Sequence, residues 1–189
     1  MKKNIRKDLL TGKIGETVVL LKLLELGFDA FNLNNEFRNF KNADLMCFYP
    51  ETGKYTMIQV KASAERTPKF YTGFNSDRNG DIVGNKSLEE NIVCPWVFVH
   101  ILEDNGEKKY KYYILTKEEV STLITDSNKW YWKEGGSHSN ATKDIQQIAL
   151  PIGWITGRNI ERNGGKQYPR NIKIDEAENA WDKITKLLK

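Results

Sequence analysis

The segment A-D-L-M-C-F-Y-P-E-T-G-K-Y-T-M-I-Q-V-K-A-S, residues 43–63, has the pattern of two short strands joined by a tight turn. The turn residues are Pro50, Thr52 and Gly53. Side chains alternate across a strand, so Gln59 and Lys61 share one face, while Ile58 and Val60 share the other. Asp44 stands near the start of the first strand, beside this polar face. The segment therefore predicts a hairpin that brings a carboxylate, an amide and an amine together, a group able to hold a hard metal ion.

The composition is that of a folded globular protein. The chain has 189 residues, of which 39% are hydrophobic and 29% are charged, and its mean hydropathy is -0.60. This excludes the disordered and membrane-spanning classes and leaves a single domain with a substantial core as the default. The net charge of +4 is a mild excess, which permits a polyanionic partner without requiring one.

Cysteine usage and the start of the chain suggest a compartment. Cys47 and Cys94 each lie in an apolar run without metal-ligand spacing, and they are expected to stay reduced. No apolar signal core follows the first residues, and no stretch is long and apolar enough to span a bilayer. We therefore expect a cytoplasmic protein with no membrane partner.

Residues 11–26 carry the strongest helix signal, and Gly27 ends it. Glu16 stands in line with Leu20 and Leu23 on this helix. A carboxylate in an apolar row is costly to bury unless it is paired, so one interpretation is a first-turn glutamate that stays in solvent. The polar group of the hairpin favours the other interpretation, in which Glu16 joins a functional site.

The elements up to residue 63 follow a recognisable order. Residues 28–34 predict an edge strand and residues 34–42 a polar loop, so the order is helix, strand, strand, strand. This order, with Glu16 on the helix, Asp44 on a strand and Gln59-Val60-Lys61 on the next, resembles the PD-(D/E)XK nuclease superfamily. The texts G-K-I-G-E, A-D-L and I-Q-V-K are most similar to its Mrr-like restriction branch and to the Holliday-junction resolvases, with a Q-x-K form of the motif.

The resemblance implies a restriction endonuclease-like α/β core, with a central mixed β-sheet flanked by helices. It also implies a Mg²⁺- or Mn²⁺-dependent endonuclease that acts on DNA, in a restriction-like or resolvase-like role. Members often act as dimers, because two strands must be cut. The implied catalytic residues are Glu16, Asp44, Gln59 and Lys61, and the implied metal ligands are Asp44, Gln59 and Glu16.

The chemistry of these side chains agrees with that implication. A Mg²⁺ ion held by one or two carboxylates neutralises phosphate charge and activates water. Asp44 would be the main ligand and Glu16 would bind through water or orient the nucleophile, while Lys61 would stabilise developing charge. In the competing interpretation, Asp44 and Lys61 form an ordinary cross-strand ion pair and Gln59 is filler.

Gln59 replaces the acid of the usual motif, which removes one negative charge from the metal site. An alternative function is therefore a catalytically inactive nucleic-acid-binding or scaffold protein with the nuclease fold. A zinc-dependent HNH nuclease is improbable because the chain has only two histidines, His100 and His138, without nearby partners.

Residues 65–91 are polar and glycine-punctuated, with basic residues interleaved between Phe70, Tyr71 and Phe74. This pattern is typical of a loop that faces DNA, and equally of a surface loop whose aromatic rings turn back under the sheet. The expected nucleic-acid-binding residues of the whole chain are Lys13, Arg38, Arg66, Lys69, Arg78, Arg158 and Arg162.

The rest of the chain predicts structural elements. Residues 96–102 predict a buried strand that holds His100, residues 109–115 a returning strand, and Thr116 the start of a helix that ends near residue 124. Residues 126–170 are less readable, although Trp132 either stacks on a base or packs in the core. Residues 175–188 predict a closing helix. We assign one domain over 1–189, with its core in 1–125 and an extension plus closing helix in 126–189.

Overall fold

The computed structural model describes residues 2–36, 40–66, 68–84, 87–134, 145–150, 152 and 174–189. The helices are α1 (Lys2–Glu25), α2 (Leu33–Glu36), α3 (Leu88–Asn91), α4 (Lys117–Lys129) and α5 (Asp182–Leu188). The strands are β1 (Asp29–Asn32), β2 (Leu45–Tyr49), β3 (Lys54–Ser63), β4 (Phe70–Asp77), β5 (Ile82–Val83), β6 (Trp96–Asp104), β7 (Glu107–Leu115) and β8 (Ile145–Leu150). A π-helical turn, Trp130–Glu134, continues α4, and a 3₁₀ turn, Ile174–Ala177, precedes α5.

The main sheet has five strands in the order β1-β2-β3-β6-β7. The β3–β6 pair is parallel and the other three pairs are antiparallel, so the sheet is mixed. Helices α1 and α5 contribute to the core on one face of this sheet, and α4 contributes to the core on the other. The prediction of an α/β fold with a central mixed sheet flanked by helices is confirmed.

A second sheet has the order β5-β4-β8; β4 and β5 lie in the crossover between β3 and β6, and β8 joins them from later in the chain. The prediction of a loop over residues 65–91 was therefore wrong for β4, where burial alternates strictly along the strand. Phe70 and Phe74 are buried on its inner face, whereas Tyr71 points outward. The aromatic rings of this segment lie partly in the core and partly on the surface because one face of β4 is buried and the other is exposed to solvent.

Two apolar cores lie on opposite faces of the main sheet. The core under the second sheet is formed by residues such as Phe70, Phe98, Leu115, Ile124 and Leu150. The core under α1 and α5 is formed by residues such as Val19, Leu23, Ile58, Val97 and Ile184. Strand β6 is buried on both faces over residues 96–101, which agrees with its continuous apolar run.

Three predicted helix boundaries were wrong. Helix α1 begins at Lys2 and not at residue 11, because no helix-breaking residue separates the charged start from the apolar segment. Helix α4 runs past residue 124 to Lys129, while its predicted capping box at Thr116 is confirmed. Helix α5 begins at Asp182 and not at residue 175. The helix begins later in the chain than predicted because the residues before it pair with β7, where the N–H of Asn179 donates to the carbonyl of Tyr112 at 2.9 Å.

None of the helices described combines the length and the apolar run that crossing a bilayer requires.

Helix α1 approaches β3 most closely at Gly15. A Cβ atom built on Gly15 would lie 2.5 Å from the Cβ of Ala62, well inside the 3.5–4.0 Å at which carbon atoms normally meet. On the same helix, a Cβ on Gly12 would meet no atom within 4 Å. The side chain that follows this contact is Glu16, so the glycine also sets how near that carboxylate comes to the sheet.

Replacing Gly15 by alanine should destabilise the protein, by about 1–3 kcal/mol from overpacking less the gain of up to about 1 kcal/mol that alanine gives a helix. Gly12→Ala is the matched control and should stabilise the protein, because it brings the same helix gain without the clash. Urea unfolding monitored by circular dichroism measures both. Equal effects of the two substitutions would contradict the close approach at Gly15.

Candidate active site

Asp44 is fixed to strand β3 by its backbone and by its side chain. Its N–H donates to the carbonyl of Ile58 at 2.9 Å, and its Oδ2 accepts the N–H of Val60 at 2.7 Å. The same oxygen accepts a short hydrogen bond from the Nε2 of Gln59. The other oxygen, Oδ1, accepts the Nδ2 of Asn34 at 3.2 Å. The carboxylate thus has a single defined orientation beside the middle strand of the main sheet.

Glu16 is half-buried and faces the same region from helix α1. Its Oε2 accepts the Nδ2 of Asn32 at 2.6 Å, which joins the helix to the end of β1. The interpretation of Glu16 as a solvent-exposed first-turn glutamate therefore does not describe this side chain. Helix α1 begins more than three turns earlier, at Lys2, and the carboxylate has a specific partner.

Burial destabilises the charged form of both carboxylates. Burial raises the pKa of Asp44, against the hydrogen bond from Val60 and the positive charge of Lys61. Burial also raises the pKa of Glu16, and the negative charge of Asp44 adds to that shift, while the hydrogen bond from Asn32 opposes it. Two carboxylates whose pKa values are both raised by burial form a place where a cation is favoured.

Lys61 lies on β3, two residues beyond Gln59 on the same face, as the alternation predicts. Its Nζ lies over the ring of Trp96, 5.2 Å from the ring centroid, so the ammonium makes a cation–π contact. Its charge lowers the pKa of both Glu16 and Asp44. The four side chains inferred from the sequence therefore converge, with two acids, one amide and one ammonium in electrostatic contact.

The amide of Gln59 presents its NH₂ group to Asp44 and its carbonyl oxygen away from that carboxylate. As a metal ligand it would have to bind through the carbonyl oxygen, because an amide NH₂ has no free lone pair for an ion. A half-turn of the amide exchanges the two groups. In the contact with Asp44, the amide NH₂ satisfies one oxygen of the carboxylate.

The donor set suits a hard cation. Glu16, Asp44 and Gln59 offer only oxygen ligands, and Mg²⁺ is commonly held by one or two carboxylates with water and phosphate in the remaining positions. In the part of the chain described here, no three His, Cys, Asp or Glu side chains gather into a metal-binding group. The site thus has two acids where a fully acidic motif would have three.

Thiol and imidazole chemistry is not supported at this site. Burial raises the pKa of the Cys47 and Cys94 thiols to about 12, so both are neutral at pH 7. His100 is buried, and its Nε2 lies 3.0 Å from the carbonyl oxygen of Glu65. The prediction of a hydrogen-bonded core histidine is confirmed.

The expected nucleic-acid-binding residues fall into two groups. Lys13, Arg66, Lys69 and Arg78 are exposed, as that role requires. Lys13 lies less than one turn before Glu16 and lowers its pKa, so its charge reaches the site. The other three lie outside the described residues: Arg38, Arg158 and Arg162.

Trp132 does not present its ring for base stacking. It is buried, and its Nε1 donates to the Oγ of Ser76 at 2.9 Å. The core interpretation of this tryptophan is confirmed.

Sequence reasoning missed three residues that contact the site: Asn32, Asn34 and Trp96. Asn32 and Asn34 had been assigned to the edge strand and polar loop, although their alternate spacing beside a polar hairpin was a signal for a shared face. Trp96 was assigned to the buried strand, and only the parallel pairing of Gln59 with Trp96 brings it next to the polar face of β3. That pairing joins residues far apart in sequence and has no local signature.

No protein-family model and no curated protein sequence matches the chain. Among solved structures, the bacterial homing endonuclease I-Ssp6803I is similar over 94% of this chain and 92% of its own, with 13% sequence identity and a TM-score of 0.44. Neither a family nor an activity follows from similarity at this level, so the functional argument depends on the geometry of the site.

Glu16→Gln should make the metal-free protein more stable at pH 7. Because the folded-state pKa is raised above 4.5, the stability contributed by the protonated form is present below pH 4.5 and is lost as the pH rises through the folded pKa. Glutamine keeps an oxygen for Asn32 and carries no charge to desolvate. The difference in melting temperature between variant and wild type, measured in EDTA, should therefore be present above pH 4.5 and disappear below it.

Glu25→Gln, at the exposed end of the same helix, is the control and should give no comparable gain at pH 7. A Glu16→Gln protein that is less stable than the wild type at neutral pH would contradict the desolvation of this carboxylate.

Proposed function

We propose that this protein is a Mg²⁺-dependent endonuclease that hydrolyses phosphodiester bonds in DNA, in a restriction-like or resolvase-like role. The observation that supports the proposal is the convergence of two partly buried carboxylates, Glu16 and Asp44, with the amide of Gln59 and the ammonium of Lys61. Each carboxylate has its pKa raised by burial, and a cation would relieve that cost.

In this proposal the chain supplies ligands and a fixed positive charge. Asp44 and Glu16 would hold Mg²⁺ or Mn²⁺, with the carbonyl oxygen of Gln59 turned toward the ion. The bound ion would neutralise phosphate charge and make an attacking hydroxide available at neutral pH. Lys61, whose Nζ lies over the ring of Trp96, would stabilise the negative charge that develops on the phosphate as the bond breaks.

Exposed basic residues would bring the DNA to this site. Lys13 is close to Glu16, and Arg66 and Lys69 follow directly after the strand that carries Gln59 and Lys61. Contacts from these residues to phosphates would hold a duplex in register without reading its sequence. Since two strands must be cut, we expect two copies of the chain to act together.

Asp44→Asn and Lys61→Met should each reduce cleavage of plasmid or branched DNA in Mg²⁺ or Mn²⁺ by about 100-fold or more, since each removes a charge used on the reacting phosphate. Both substitutions approximately keep the side-chain size, and methionine has an unbranched side chain like that of lysine. Lys108→Met, at an exposed position of β7, is the matched control and should leave cleavage unchanged. Cleavage by the wild type that survives in the Lys61→Met protein would place the active site elsewhere.

The second candidate function is a nucleic-acid-binding protein without nuclease activity. It is favoured by Gln59, which leaves the site with two acids and donates a hydrogen bond to Asp44. DNA binding in a gel-shift assay, without cleavage of plasmid, branched DNA or RNA in either metal, would support this function over the enzyme.

Substitutions at position 59 test whether this side chain faces the ion. Gln59→Glu should tighten Mn²⁺ binding by about tenfold or more, because it adds a third negative charge. It should also lower the stability of the metal-free protein at pH 7 by about 1–3 kcal/mol, because a hydrogen bond to Asp44 becomes a repulsion. Gln59→Leu is the opposite control and should weaken Mn²⁺ binding. Calorimetry and thermal unfolding measure the two effects, and an unchanged Mn²⁺ affinity in both variants would show that position 59 is not a ligand.

A further inference from the structure

The corner between β1 and α2 contacts both acids of the site. Asn32 ends β1 and donates its Nδ2 to Glu16 Oε2 at 2.6 Å. Asn34, two residues later, donates its Nδ2 to Asp44 Oδ1 at 3.2 Å. The backbone N–H of Asn34 donates to the Oδ1 of Asn32 at 2.9 Å. An unbroken hydrogen-bonded path therefore runs from Glu16 through the two asparagines to Asp44.

The residue between the two asparagines anchors this corner. Leu33 is fully buried in a small apolar cluster with Ala43 and Cys94. Its backbone N–H donates to the carbonyl oxygen of Asp44 at 2.8 Å. Leu33 therefore fixes the backbone on which both amides stand, and it ties that backbone to the residue whose carboxylate one of them contacts.

The two amides also determine which oxygen atoms are free to bind an ion. In the described part of the chain, Glu16 accepts its hydrogen bond on Oε2 only, which leaves Oε1 open. Asp44 Oδ2 already accepts the N–H of Val60 and the amide of Gln59, whereas Oδ1 accepts from Asn34 alone. Since a carboxylate oxygen has two acceptor positions, Oδ1 keeps one for a ligand.

We propose that Asn32 and Asn34 form one positioning unit that orients Glu16 and Asp44 toward a single divalent cation. This inference rests on the proposed function, since it assumes that the two acids bind one ion. The two residues do not touch the ion. They act through the carboxylates, by holding one oxygen of each and leaving another free, as outer-shell groups of metal sites do.

A purely structural role makes a different prediction. An asparagine that accepts the backbone N–H two residues ahead is a common turn motif, and in that role it would stabilise the corner without affecting metal binding. Asn35 provides a matched control, because it is an exposed asparagine in the same short helix, and none of the described hydrogen bonds joins it to Glu16 or Asp44.

The first experiment measures Mn²⁺ affinity by calorimetry. Asn32→Ala and Asn34→Ala should each weaken binding by about tenfold or more, and Asn35→Ala should leave it unchanged. The double variant should lose little more than the larger single loss, because the two residues are hydrogen-bonded to each other and act as one unit. Losses that multiply in the double variant would contradict a single unit. Wild-type affinity in both single variants, with lowered melting temperatures, would show a structural role and overturn the proposal.

The second experiment needs no metal and no activity. In the NMR spectrum of the metal-free protein, Asn32→Ala should shift the backbone amide signal of Asn34, and Glu16→Gln should shift the side-chain NH₂ signal of Asn32. The signals of Asn35 should stay in place. An Asn34 amide signal that is indifferent to Asn32→Ala would overturn the proposed path, whatever the outcome with metal.

Mn²⁺ added to the wild type should broaden the side-chain NH₂ signals of both asparagines through its unpaired electrons. Failure of the wild type to bind Mn²⁺ would contradict the metal site of the proposed function, and the positioning role would fall with it. Normal wild-type binding, together with unchanged affinity in the variants, would overturn the positioning role alone. The two failures are therefore distinguishable.

Discussion

Helix α1 lies on strand β3 at a separation that only a glycine at position 15 allows. The Cβ of any other residue there would meet the Cβ of Ala62 at 2.5 Å. Because Glu16 follows directly, the same contact decides how close the helix carboxylate comes to the hairpin. The candidate site thus depends on a close approach of two backbones, and the apolar packing of Val19 and Leu23 farther along the helix maintains that approach.

Strand β3 is the element on which the remaining groups meet. It pairs with β2 on one side and with β6 on the other, so it is held in the middle of the main sheet. Its backbone N–H at Val60 donates to the carboxylate of Asp44, and two of its side chains, Gln59 and Lys61, complete the polar group. A central strand paired on both sides fixes the relative positions of these groups.

Burying the two carboxylates in their charged form is unfavourable for folding. Burial raises the pKa of both carboxylates, and each one is stabilised by only a few hydrogen bonds and nearby cations. Such an arrangement lowers the stability of the metal-free protein, and the two apolar cores on either side of the main sheet offset that cost. Local destabilisation of this kind is typical of functional sites.

The sequence alone determined the hairpin, its turn and the face shared by Gln59 and Lys61, because strand alternation is a local property of the backbone. It also indicated the buried strand β6, the returning strand β7 and the capping box at Thr116, which depend on short-range patterns. The convergence of Glu16 and Asp44 followed from the resemblance of their order and spacing to a known pattern. Composition and periodicity gave no information about it.

The surroundings of those residues depend on tertiary contacts, which the sequence does not reveal. Burial alternates along β4 because the inner face of this strand packs on a core formed by distant segments. The start of α5 is set by the pairing of the preceding residues with β7. The contacts of Asn32 and Asn34 with the two acids, and of Lys61 with Trp96, join segments that are distant in the chain. Such contacts carry no periodic signal, because they are fixed by how helices and strands pack in space and not by the neighbours of a residue in sequence.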